Sequence, residues 1–145
     1  MPTPARASRP GQSDPWRAEA FRVGSLRPRQ SFPLGVHVGR PDADHACLDV
    51  PWEHARDQDA GLRFDLADAL LGRRTTDDPF VWLTRPGSPV PHDLDHAWHA
   101  AFVRAAGAHE IRLAGFRVVT RTGWYDVTTG ERRVWKRLRA APPRE

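Results

Sequence analysis

The chain has a single cysteine and a single lysine among its 145 residues. With Cys47 alone, no internal disulfide and no multi-cysteine zinc site can form. No apolar run approaches the roughly 18 residues that a membrane-spanning helix needs. Met1–Gln12 carries Arg6 and Arg9 with no apolar stretch behind them, so no secretory leader is expected. A Gly-rich phosphate loop and an internal repeat are also missing, and Ser88 has no nucleophile-elbow context. These absences predict a soluble, cytoplasmic protein with no membrane partner and no catalytic residue.

What is present is arginine, proline and an uneven charge. The 22 basic residues are all arginine except Lys136, the bias of a GC-rich genome. Residues 1–40 carry a net +5, residues 41–110 a net −7 and residues 111–145 a net +6, so an acidic middle lies between two basic ends. The length suits one domain. Residues 1–30 read as a disordered Pro/Arg-rich segment, 31–140 as the domain and 141–145 as a flexible tail. Within the first segment, Trp16 and Phe21 are placed to anchor a short helix around Pro15–Arg22.

The hydrophobic pattern predicts an α/β (α+β) fold: a mixed sheet of about five strands in the order β-β-α-β-α-β-β, with helices packed on it. Leu34, Val36 and Val38 alternate with polar or small residues from Ser31 onward, which predicts a half-buried strand that Pro33 assigns to a sheet edge or a strand start. Ala46, Leu48, Val50 and Trp52 repeat the alternation, completing a hairpin. Leu62, Leu66, Ala69 and Leu70 form one helical stripe that Gly72 is placed to end. Phe80–Leu83 is a short central strand. Asp93 is expected to cap the next helix, whose buried stripe is Leu94, Ala97, Trp98, Ala101, Phe102 and Ala105. A strand from Ile111 to about Trp124 and a last one from Arg132 to Leu138 close the domain.

Chemistry-bearing residues concentrate where the central strand hands over to this helix, a common place for sites in small α/β domains. His92, His96 and His99 follow i, i+4 and i+7 spacing, and at about 100° per residue they share one face, within roughly 60°. With Asp95 they form a candidate zinc set, since imidazoles at i and i+4 chelate divalent ions and a carboxylate completes the shell. The alternative is a solvated helix face whose carboxylates complement the N-terminal dipole. No Glu stands where a metalloprotease helix carries its base. Arg85, Pro86, Gly87 and Asp93 read as a structural turn, with Arg85 paired to Asp93 or Asp95. His37, His45, His54 and His109 fall in no pattern. Cys47 reads as a small packing residue on its strand, and Asp57, Asp59, Asp65 and Asp68 as the solvated side of a helix.

The strand end Leu83-Thr84-Arg85-Pro86-Gly87 and the helix start Pro91-His92-Asp93-Leu94-Asp95, set in this order of elements, resemble the JAB/MPN superfamily, particularly its RadC-like branch. That family carries His-x-His-Pro at the strand end and Ser-x-x-Asp entering the helix. Two histidines and the aspartate hold zinc there, and an upstream Glu works on the bound water. Pro86 and Asp95 match the pattern, Pro91-His92 stands where Pro-Ser is usual, and the connecting loop is about one residue shorter. The resemblance spans about Phe32 to Tyr125 and rests on topology and turn residues. Leu83 and Arg85 occupy both histidine positions. Leucine cannot ligate zinc, and arginine brings a fixed positive charge to the place of the cation. The resemblance therefore implies a degenerate, non-catalytic member serving as an interaction scaffold.

A second candidate surface is the C-terminal hairpin, where Arg117, Arg121, Arg133, Lys136, Arg137 and Arg139 are interleaved with Trp135. Cations neutralise phosphates and rings stack on unpaired bases, so this composition suits nucleic acid. The structural alternative is edge-strand protection and self-packing, with Trp135 against Trp124. The function expected from the sequence is a non-catalytic protein-interaction module with no cofactor and a protein partner. The alternatives are nucleic-acid binding through the hairpin and a metal-dependent hydrolase, with zinc the candidate ion, built on His92, Asp95, His96 and His99. A second copy of the chain is a further candidate partner, because the basic ends complement the acidic middle.

Overall fold

The computed structural model describes residues 14–25 and 32–136. Its elements are α1 (Pro15–Gly24), β1 (Leu34–Gly39), β2 (Ala46–Val50), a 3-10 turn (Trp52–His54), α2 (Ala60–Gly72), β3 (Phe80–Thr84), α3 (Asp93–Ala108), β4 (Gly115–Thr120), β5 (Gly123–Asp126) and β6 (Arg132–Val134). The strands make one sheet in the order β2-β1-β3-β4-β5-β6. Only β3 and β4 pair in parallel, joined by the α3 crossover; the other pairings are antiparallel. The fold is thus the mixed-sheet α+β class expected, with six strands rather than about five.

Strand side chains alternate between faces, and each face has its own cover. Leu34, Val36 and Val38 of β1, Val81 and Leu83 of β3, and Phe116 and Val118 of β4 pack with Leu70 and Leu71 of α2 and Trp98, Phe102 and Ala105 of α3. On the opposite face, Trp82, Val119 and Trp124 pack with Trp16, Ala20 and Val23 of α1. The N-terminal segment read as disordered through residue 30 therefore contributes a folded helix. Asp14 accepts the Trp16 N–H and Pro15 occupies the first turn, both helix-starting features. Trp16, Ala20 and Val23 form its buried stripe, while Phe21, taken as an anchor, is exposed.

That second cover corrects several local expectations. β1 is interior and buried on both faces, because on its polar side His37 stacks on Trp82 and bonds His45 and Thr84. Gly35 is what permits this: a Cβ there would lie 2.2 Å from Thr84 Oγ1 and 2.6 Å from His37 Nε2. On α2 the buried residues are Ala67, Leu70 and Leu71, while Leu62 and Ala69 face outward. Apolar residues surround this helix, so packing chose the face. The cap of α3 is His92, not Asp93. The single long strand is instead β4 and β5, joined through Arg121 and Thr122, with Thr120 opposite Gly123. Gly123 allows the next strand close; a Cβ there would fall 2.1 Å from the Arg133 carbonyl oxygen.

Candidate functional site

Arg85 follows directly on β3, and its buried guanidinium organises the turn. Nε donates to Asp95 Oδ1 at 2.8 Å and Nη2 to Oδ2 at 2.9 Å, a bidentate pair. The remaining donors reach the carbonyls of Pro86 at 2.9 Å, Ser88 at 3.2 Å and Val90 at 2.8 Å. Gly87 supplies the turn's left-handed conformation with φ +94°. Burial works against the Arg85 charge, but hydrogen bonding and attraction to Asp95 outweigh it and raise its pKa above the ordinary value.

Asp95 is fully buried. Besides Arg85, its Oδ2 accepts the Tyr125 hydroxyl and the His92 backbone N–H, the latter at 3.1 Å. Burial and the bond to Asp95 push the Tyr125 pKa well up, so the phenol remains a donor at neutral pH. His92 Nδ1 in turn accepts the Leu94 N–H at 3.0 Å, closing a reciprocal capping box. Of the two partners expected for Arg85, the structure selects Asp95, and Asp93 is left exposed in the first helical turn.

The histidine row does not assemble with Asp95. The carboxylate points into the core, whereas His96 is exposed and His99 lies edge-on to Phe116, with ring centroids 5.0 Å apart. His92 already uses one ring nitrogen as the helix cap. Among the described residues no three His, Cys, Asp or Glu side chains come together as a metal-holding group. The zinc set of His92, Asp95, His96 and His99 is thus not brought together here. Asp95 is taken up by Arg85 and Tyr125, His92 by the helix cap and His99 by Phe116, so the four do not converge on a single ion.

The C-terminal cations separate into two kinds. Arg117 is built into the α1 face, its guanidinium 4.0 Å from the Trp124 ring centroid and 4.7 Å from that of Trp16. Burial lowers its pKa, partly offset by Asp126. It serves packing and is a correction to the proposed nucleic-acid set. Arg121, Trp135 and Lys136, by contrast, line an open groove of about 310 Å³ with Phe21 and Ser25. Arg133 stacks over Trp135 at 5.5 Å. Arg137 and Arg139 lie outside the described residues, as does the remainder of the expected last strand beyond residue 136.

Sequence patterning missed a buried polar cluster under α1. His37 stacks on Trp82, with centroids 4.9 Å apart and planes within 5°. Its ring nitrogens bond His45 at 3.0 Å and the Thr84 hydroxyl at 2.9 Å. This hydroxyl–imidazole–imidazole chain has the connectivity of a nucleophile relay, but Thr84 is buried. Burial also drives the His37 pKa down to about 3, making it too weak a base to activate an alcohol at neutral pH. The cluster is structural. Its signal was His37 lying between Val36 and Val38, opposite the core face; the pairing with Trp82 needed the register. Cys47 is exposed on edge strand β2 rather than packed, and burial together with Asp49 raises its pKa, so it stays a thiol.

Among the described residues no helix is long and apolar enough to cross a membrane. Searches against protein-family models, curated protein sequences and solved structures return no match to this chain.

Proposed function

We infer that this protein is a non-catalytic protein-interaction module that docks a partner on the turn from Pro86 to Pro91. The observation that carries this is the occupancy of Arg85: its donors are all directed inward, to Asp95 and to three carbonyls of the turn. A loop tethered at three points loses little conformational freedom on binding, which favours recognition. Outward it presents Val90 and Pro91, and beside them Trp52 and Pro86 line a mostly apolar recess of about 290 Å³. The resemblance to degenerate JAB/MPN members agrees with this role. The position matched to a zinc-binding histidine carries a guanidinium bonded to the matched aspartate, so a fixed cation stands in for the metal.

Photo-crosslinking tests the assignment. A crosslinking residue at Val90 is expected to give a discrete protein adduct in cells making the full chain, and the same residue at exposed Thr129 none. Adducts that are absent at Val90, or equal at the two positions, would reject the docking surface. Metal-dependent hydrolysis by the purified protein would reject the non-catalytic role.

The convergence of Arg121, Trp135 and Lys136 on one groove, with Arg133 over the Trp135 ring, supports a second reading, binding of single-stranded nucleic acid. Fluorescence anisotropy with a labelled oligonucleotide should then show affinity falling steeply with salt, and falling further in an Arg121→Ala, Lys136→Ala double variant. Salt-independent binding, or none, removes this alternative.

A further inference from the structure

Next to the Pro86–Pro91 turn lies a second recess, of about 400 Å³, lined by Arg56, Arg63, His92 and Asp93. His92 also lines the apolar recess of Trp52, Pro86, Val90 and Pro91, so it is a wall that the two share. One loop serves both: Trp52 opens the 3-10 turn after β2, Arg56 follows in the same loop, and Arg63 comes from the start of α2.

The two arginines stand in the acidic stretch of the chain, residues 41–110 with a net −7. Neither forms an ion pair with a carboxylate among the described residues. Of the acids beside them, Asp57 lies 4.0 Å from His54 Nδ1, and Asp59 caps α2 by accepting the Leu62 N–H at 2.7 Å. Arg63 donates through Nη1 to the Gln58 carbonyl, while its Nε is buried with no acceptor among the described residues. A buried donor without an acceptor is costly, so this guanidinium retains bonding capacity that the fold does not satisfy. His92 Nδ1 accepts the Leu94 N–H, which puts the ring proton on Nε2 as a further donor. Asp93 is the one carboxylate on the wall among the described residues. Two guanidinium groups against one carboxylate leave the recess positive.

An anion-accepting recess that shares a wall with an apolar one suits a ligand carrying both features side by side. We propose that the partner docking on the Pro86–Pro91 turn presents an Asp or Glu carboxylate to Arg56 and Arg63, and a neighbouring apolar side chain to the recess between Trp52 and Val90. This rests on the docking role inferred above and names the chemistry of what docks. A guanidinium fork takes a carboxylate through two parallel bonds. A basic segment would meet two unpaired guanidinium groups and is disfavoured.

Photo-crosslinking from Val90 in cells making the full chain, repeated with Arg56→Glu and with Arg73→Glu, tests this. Both arginines are exposed, and Arg73 closes the far end of α2. The Val90 adduct is expected to fall about tenfold or more in Arg56→Glu and to persist in Arg73→Glu. Peptide mapping of the adduct should find Asp or Glu within a few residues of the crosslinked position. Should Arg56→Glu fail to fold, Arg56→Gln carries the same expectation. An undiminished adduct in the folded Arg56 variant, an equal loss in Arg73→Glu, or a mapped segment that lacks a carboxylate or carries a phosphate instead would overturn this inference and leave the docking surface standing. No Val90 adduct in the otherwise wild-type chain would reject the docking surface, and this inference with it.

Discussion

Trp82 on β3 donates its indole N–H to Glu19 on α1 at 2.6 Å, joining residues 63 positions apart in the chain. The carboxylate is buried, and its other oxygen accepts Arg22 Nε at 2.6 Å. Burial alone would raise the Glu19 pKa; the bonds from Arg22 and Trp82 and the charge of Arg22 reverse this, leaving it below its ordinary value. The bond ties the N-terminal helix to the centre of the sheet.

Glu19→Gln is therefore expected to destabilise the protein by about 1–3 kcal/mol, as for a buried charge-assisted bond. An exposed helical position would stay within about 0.5 kcal/mol. Urea unfolding followed by tryptophan fluorescence measures the difference, and an effect in the surface range would mean that α1 is not held to the sheet.

Acid should weaken the fold well before the carboxylates titrate. His37 has its pKa lowered to about 3 by burial, while in the unfolded chain it titrates near the ordinary value of about 6.5. Between these values the unfolded state binds the extra proton, so stability is full above about pH 6.5 and declines as pH falls towards 3. The loss between pH 7 and pH 5 should be about 2 kcal/mol, the free energy of roughly 1.5 pH units. His99, also lowered by burial, adds in the same direction, and Glu19 contributes only at lower pH. Urea midpoints across this range should show the slope, and His37→Gln should flatten it; an unchanged slope in that variant would remove His37 as its source.

Breaking the buried pair on one side should be costly. Asp95→Asn leaves Arg85 charged without its counter-ion and is expected to cost about 3–5 kcal/mol. Arg85→Met should cost a similar amount, and the two together much less than their sum, because neither then strands a charge. A double-mutant cycle in chemical denaturation reads this directly, and additive effects would contradict the coupling.

Gly123→Ala should detach β6. Its new methyl would have to displace the Arg133 backbone, 2.1 Å from the Cβ position, so the β5–β6 pairing at Gly123 and Val134 is expected to open. Faster amide exchange at Val134 and trypsin cleavage at Arg132 or Arg133 would reveal it. Wild-type protection would mean that the two strands separate at little cost.

Much of the fold was readable wherever one face of an element met one core. The alternation of Leu34, Val36 and Val38, the run Phe80–Leu83 and the stripe Leu94, Trp98, Phe102 all lie in the strands and the helix they predict. Failures came where two neighbours competed. β1 looked half-buried because Trp82, which covers its polar side at His37, is remote in sequence. The α2 face was ambiguous because apolar residues surround that helix. His92 and Asp93 were both acceptable caps, and Asp95 bonding back to the His92 amide decided between them.

The candidate sites divide in the same way. By itself the sequence determined the order of elements from β1 to α3, the small turn at Gly87 and the acidic histidine-bearing start of α3. Those are local properties of spacing and residue type. Only the tertiary structure decided that Asp95 turns inward to Arg85 and Tyr125, that Arg117 lies under α1 and that His37 stacks on Trp82. Each joins side chains from elements that are distant in the chain, and their meeting depends on strand register and helix rotation. Both are set by the packing of the whole domain, which no single segment encodes.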